Sequence, residues 1–224
     1  DEDIFAAYFI GSYDLNHHIS IKAGARFEKV NTNAVLEKGS SANAVDSTNV
    51  LTSIFDDALA ISPFENPYSS VYPSVNLLYK LSDKQNVQIG YSKKVNRPRR
   101  RTLSPFPQNT TDFSRIRVGN PYLNPEYSDV MELKYWSSSR QINLNMGLSY
   151  KLTKDAIMWW DRDYVEYDST SYEVLTSDNS ENSENFSGNM TVLYRPMQSM
   201  SIMLSGWAWN TRTYGNGESD LNGN

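Results

Sequence analysis

The 224 residues carry a formal net charge of −5, which argues against a general nucleic-acid binder, since such domains run basic. There is no cysteine, so disulfide frameworks and thiolate metal sites are excluded, and two histidines, side by side at His17 and His18, are too few for an imidazole centre. Hydrophobic residues make up 39% and aromatic residues 12%, yet no apolar run approaches the roughly eighteen residues of a membrane-crossing helix; a membrane β-barrel stays open, because its strands give a weaker signal.

The chain starts Asp1-Glu2-Asp3 with no basic segment leading into an apolar one, so it is read as a mature chain or an excised piece. Ile4 to Asp14 is an apolar, aromatic run of strand length whose facing is ambiguous. After the polar turn Leu15-Asn16-His17-His18, Ile19, Ile21, Ala23, Ala25 and Phe27 alternate with Ser20, Lys22, Gly24, Arg26 and Glu28. Strict period two marks a strand with one apolar and one polar face. Residues 31–70 read as a long insertion that begins as an exposed loop and holds a short helix over Val50–Ala60.

Val75, Leu77, Tyr79 and Leu81 then alternate with polar residues, and a tight turn at Ser82–Gln85 leads to Val87, Ile89 and Tyr91. A long loop rich in proline, arginine and asparagine precedes the alternation of Met131, Leu133 and Tyr135 with Glu132 and Lys134. A turn at Ser137–Arg140 follows, and then the cleanest pattern in the chain, with Ile142 to Leu152 apolar at every second position. That strand is expected to run on toward Trp159 and Trp160. Asp161–Glu184 is polar and acidic, with one extended piece at Tyr172–Leu175, and Phe186–Tyr194 and Met200–Tyr214 form a last hairpin. The chain is therefore all-β, about eight strands in four hairpins.

The connections decide between barrel and sandwich. Those after the first, third, fifth and seventh strands take about four residues, and the others roughly twenty-five to forty. Outer-membrane barrels place short turns on the periplasmic side and long loops outside; a soluble meander has no such need. Tyr13, Tyr91, Tyr135, Trp136, Tyr150, Trp159, Trp160, Tyr194, Trp207 and Trp209 are expected in the aromatic girdles at the membrane interfaces; the competing reading makes them core aromatics of a soluble β-sandwich. On this pattern both chain ends lie outside, so the chain is expected to be an internal segment of a larger antiparallel up-and-down transmembrane barrel, although eight strands can close a small one.

Three motifs narrow this further. Tyr91-Ser92-Lys93-Lys94-Val95-Asn96-Arg97-Pro98, Leu103-Ser104-Pro105-Phe106 and Val118-Gly119-Asn120-Pro121-Tyr122-Leu123-Asn124-Pro125-Glu126-Tyr127 resemble the barrel of TonB-dependent outer-membrane receptors, closest to the outer membrane β-barrel family common in Bacteroidota. The resemblance implies a bacterial outer-membrane location, a barrel of about twenty-two strands, a plug in its lumen, uptake driven by TonB and contact with outer-membrane lipid and lipopolysaccharide. The plug, the TonB-contacting segment and the closing strands are not in this sequence, and Arg99-Arg100-Arg101 departs from the family pattern.

The candidate ligand contacts are Arg97, Arg99, Arg100 and Arg101 at the outer rim, whose guanidinium groups suit carboxylate or phosphate, with Asn120 and Tyr122 in the second loop motif. The competing reading is a solvated charge cluster, or one paired with Asp178, Glu181 and Glu184. Gly119, Pro121 and Pro125 fit a role in loop shape. Lys22, Arg26, Glu28, Glu132 and Lys134 are expected on the lumen face, paired with each other or with a plug. Asp161, Asp163 and Asp168 lack the spacing and glycine of a calcium loop, so no metal, cofactor or catalytic residue is assigned. The leading function is solute recognition and import without chemistry. The alternatives are a non-transporting barrel, as adhesin or surface-assembly subunit, and a soluble β-sandwich binding module.

Overall fold

The computed structural model describes residues 2–34, 64–65, 67–103, 115–120, 122–167, 170–179 and 182–214. Eight strands form one antiparallel meander: β1 (Glu2–Asp14), β2 (Ile19–Ala34), β4 (Tyr68–Ser82), β5 (Gln85–Asn96), β7 (Glu126–Ser138), β8 (Ile142–Lys154), β11 (Asn182–Met197) and β12 (Met200–Tyr214), in that spatial order. They are the eight strands expected from the alternation. β3 (Phe64–Glu65) adds a short rung on β2, and β1 and β12 are the two edges of the arc. Among the described residues, no helix is long and apolar enough to cross a membrane.

The register explains why one face is polar and the other apolar. A row across the sheet runs Ser12, Lys22, Asn76, Gly90, Glu132, Ser149, Ser187, Trp209. The next row runs Tyr13, Ile21, Leu77, Ile89, Leu133, Leu148, Gly188, Ala208. Successive residues of a strand point to opposite faces, so strict alternation in each strand becomes a continuous apolar face in the sheet. That face is exposed: Leu77, Ile89, Leu133 and Leu148 all stand open. The side chains buried most completely are those of Glu28 and Val30, at 1% and 0% exposure. A soluble sandwich hides its apolar face and solvates its charges; here the arrangement is reversed, as a lipid-facing wall requires.

The short connections all lie at one end: 15–18, 83–84, 139–141 and 198–199. In the first, the Asn16 side-chain oxygen accepts from His18 N at 2.8 Å and Ile19 N at 2.9 Å, the local bond that makes asparagine a turn former. The long connections, 35–67, 97–125 and 155–181, lie at the other end.

Several expectations change. The helix expected over Val50–Ala60 lies outside the described residues. β8 stops at Lys154, where Asp155 takes a left-handed φ of 54°, a conformation that aspartate tolerates better than most residues. Trp159 and Trp160 therefore belong to β9 (Ile157–Tyr167) rather than to an extended β8. The acidic stretch, expected to hold one extended piece at Tyr172–Leu175, is a hairpin of β9 with β10 (Thr170–Asn179), which contains that piece, and β6 (Arg115–Arg117) joins β10 in parallel. The girdle expectation also divides. Tyr13, Tyr91, Tyr135, Tyr150 and Tyr194 share the apolar face, whereas Trp136, Trp207 and Trp209 register with Asn145, Asn189 and Ser187 on the polar face. Tyr135 and Trp136 are adjacent, so the pleat forbids them the same face.

Candidate functional site

Pro73 interrupts the wall. It has no N–H to give a neighbouring strand, and β4 pairs with β5 only as far as Ser74 opposite Ser92. Beyond that point Tyr68–Pro73 pair with β2 alone, and Lys93–Asn96 pair with β7 alone. Side chains fill the role the ladder gives up.

Arg97, the first residue past β5, donates from Nε to the Tyr68 hydroxyl at 2.8 Å and from Nη2 to Glu28 Oε2. Arg26, two residues before Glu28, makes an ion pair with the other carboxylate oxygen, though that contact lacks hydrogen-bond alignment. Nearby, the hydroxyls of Ser70 and Tyr127 lie 3.4 Å apart. A buried carboxylate is costly unless charged partners and hydrogen bonds compensate it; two guanidinium groups do so here. Burial alone would lower the Arg97 pKa, but its hydrogen bonds to Tyr68 and Glu28 outweigh that and raise it. Among the described residues, the hydroxyl of Tyr72, also buried, makes no aligned hydrogen bond.

A second set of bonds ties the long connections to each other. Asn96 donates to Glu126 Oε2 at 2.6 Å, and Glu126 Oε1 accepts from Ile157 N at 2.6 Å, so one carboxylate joins the end of β5, the start of β7 and the start of β9. The backbone N–H of Asn120 donates to Thr102 O at 2.8 Å, in α1 (Arg100–Leu103), and its side-chain oxygen accepts from Tyr122 N at 2.9 Å. Asn179 donates to Asn124 O at 3.1 Å and Asp155 O at 2.7 Å, and accepts from Asn124 N at 2.8 Å. Val118 N donates to Leu175 O at 3.0 Å. Around these bonds Thr102, Leu123, Ile157, Val174 and Leu175 are buried. Arg115 pairs with Glu173 at 2.5 Å across β6 and β10.

The residues expected to meet a ligand thus separate. Arg97 turns to Glu28 and Tyr68, while Arg99, Arg100 and Arg101 are exposed on and beside α1. Among the described contacts, the acidic partner of Arg97 is Glu28 rather than Asp178 or Glu184. Asn120 is engaged within its own loop, and Tyr122 is exposed beside it. Lys22, Arg26, Glu28, Glu132 and Lys134 share the polar face, with Glu132 and Lys134 paired at 3.3 Å. The sequence reading did not single out Tyr68, Ser70, Tyr127, Glu126 or Asn179; a proline inside an alternating strand was the available signal for the first three. Among the described residues, no group of three or more His, Asp or Glu could hold a metal ion.

The sequence model of the outer membrane protein beta-barrel family matches residues 1–224. The chain belongs to that family. It is a protein of the bacterial outer membrane, and the family is the one the loop motifs resemble. Solved structures repeat the fold. The copper transporter OprC is 12% identical with a TM-score of 0.63, over 88% of this chain and 27% of that one. The FrpB iron transporter from Neisseria meningitidis (F3-3 variant) is 11% identical with a TM-score of 0.61, over 99% and 28%. The Serratia marcescens hemophore receptor HasR, solved as a double mutant with its hemophore HasA and heme, is 12% identical with a TM-score of 0.62, over 96% and 34%. The chain spans about a third or less of the length of these proteins. A sequence comparison with curated proteins gives no match.

Proposed function

We propose that these strands are part of the wall of a TonB-dependent transporter, in which the long connections bind a solute outside the cell and the solute passes a plug seated in the lumen, without covalent chemistry. On this reading the polar face lines the lumen, Lys22, Arg26, Glu28, Glu132 and Lys134 included, and the arc is completed by further strands and a plug outside the 224 residues. The observation that carries it is the shared fold with transporters and a receptor of the outer membrane, joined to long connections that are braced together at one end by Glu28, Glu126 and Asn179. The solute is of unknown class, and Arg99, Arg100, Arg101 and Tyr122 are the exposed candidates to meet it or lipopolysaccharide.

The test is growth or uptake that depends on the full-length gene, compared in cells with and without a working TonB. Uptake that requires both supports the reading; uptake indifferent to TonB ends it. A second reading, a non-transporting barrel in a surface assembly, is favoured by the sheet of β6, β10 and β9, a folded platform separate from the wall. It predicts a cell-surface partner recovered with the wild-type barrel and lost when β9 and β10 are removed.

A further inference from the structure

The polar face is not uniform. On β2 to β7 it carries Lys22, Arg26, Glu28, Glu132 and Lys134; in β8, β11 and β12 the adjacent stretches Asn143–Ser149, Ser187–Thr191 and Ser205–Trp209 contain no charged residue, and Lys151, opposite Asn185, marks their border. Trp207 and Trp209 stand in this neutral region, on the edge strand β12. Their rings lean together, centroids 4.3 Å apart and planes at 27°, so two side chains that a strand would hold nearly 7 Å apart form one aromatic surface. Their face is fixed by their neighbours: Thr191 donates to Ser205 at 3.3 Å and Asn185 to Thr211 at 2.7 Å. Asn189, opposite Trp207, lies over Gly147, where a Cβ would come 2.5 Å from its side-chain oxygen.

We propose that Trp207 and Trp209, with Asn189, Thr191 and Ser205, form a stacking site for an uncharged polyhydroxylated ring, a sugar unit of a neutral glycan. An aromatic face carries negative potential and takes the weakly positive C–H face of a saturated ring. Hydroxyl groups need partners that both donate and accept, as amide and hydroxyl side chains do. An anionic ligand calls for guanidinium or ammonium groups; these stand at the border of this region, at Lys151, and on the other half of the wall. The inference rests on the transporter reading and names a substrate class for it.

The experiment uses the full-length receptor in detergent. Short neutral oligosaccharides of glucose, galactose, mannose and xylose, and uronic-acid counterparts, are titrated against tryptophan fluorescence and by calorimetry. At least one neutral glycan is expected to bind and change the emission, with W207A and W209A each weakening it about tenfold or more, W136A leaving it intact and the uronic acids failing to compete. No binding by any neutral glycan overturns the site. So does binding that survives W207A/W209A, or a double variant that only lowers the melting temperature, which would mean that the rings pack on a plug. Absence of neutral-glycan binding together with TonB-dependent uptake of another solute removes the sugar site and leaves the transporter; loss of TonB dependence in the wild type removes the reading beneath it.

Discussion

Arg97 and Glu28, sixty-nine positions apart, close a charged contact across the place where β4 and β5 cease to pair. Removing the guanidinium leaves a carboxylate of 1% exposure with only the misaligned Arg26. R97A is expected to destabilise the folded barrel by roughly 2–4 kcal/mol, read as a lower temperature for loss of the compact band in unboiled detergent gels. R97K recovers little, because an ammonium cannot fork to Tyr68 and Glu28 together. The pair replacement R97M/E28L should cost less than R97A alone; equal or greater damage would show that the pair does not act as a unit.

Glu126 holds the base of the β9–β10 hairpin through Ile157 N. E126A leaves that N–H and the Asn96 amide without their acceptor, about 1–3 kcal/mol of local stability. Limited proteolysis should nick residues 155–181 at least several-fold faster while the barrel stays folded, and N179A should do the same through Asn124 and Asp155. Unchanged cleavage in both variants would remove the bracing role.

Leu148 and Ser149 are adjacent and face opposite ways. L148K puts an ammonium on the apolar face and should cost roughly 2–4 kcal/mol in lipid vesicles. S149K, opposite Glu132, should be near neutral. The reverse order would turn the wall inside out and return the soluble sandwich.

Two glycines separate a rigid neighbour from a yielding one. A Cβ at Gly24 would lie 2.6 Å from the backbone oxygen of Phe9, whereas one at Gly147 would meet only the end of the exposed Asn189 side chain. G24A must push β1 off β2 and should cost about 1–3 kcal/mol; G147A should cost less than half of that. Paired unfolding measurements of the two variants decide the matter.

The alternation of Ile19–Glu28 and Ile142–Leu152 made the strands legible, because a strand's facing is written in residues two apart. The family was legible in the loop motifs, where Asn96, Arg97 and Glu126 hold fixed jobs. The partners were not. Glu28 is sixty-nine positions from Arg97, and no local pattern encodes a contact between strands separated by a long insertion. The hairpin of β9 and β10 was hidden by its acidic composition, since its buried Val174 and Leu175 are adjacent rather than two apart and give no period-two signal. The tryptophans misled because aromatic content near a strand end suggests a girdle, while parity alone decides the face, and Trp136, Trp207 and Trp209 fall on the polar side.

Pro73 has a mechanical consequence. Past it, the outer end of β4 belongs to β2 and the outer end of β5 belongs to β7, so the rim is slit into two flaps stitched by side chains. A load on residues 97–125 is borne across that slit by Arg97 with Tyr68 and Glu28 rather than by a zipper of amides. Parting the flaps would break a few replaceable bonds and leave the ladder between β4 and β5 below Ser74 in place.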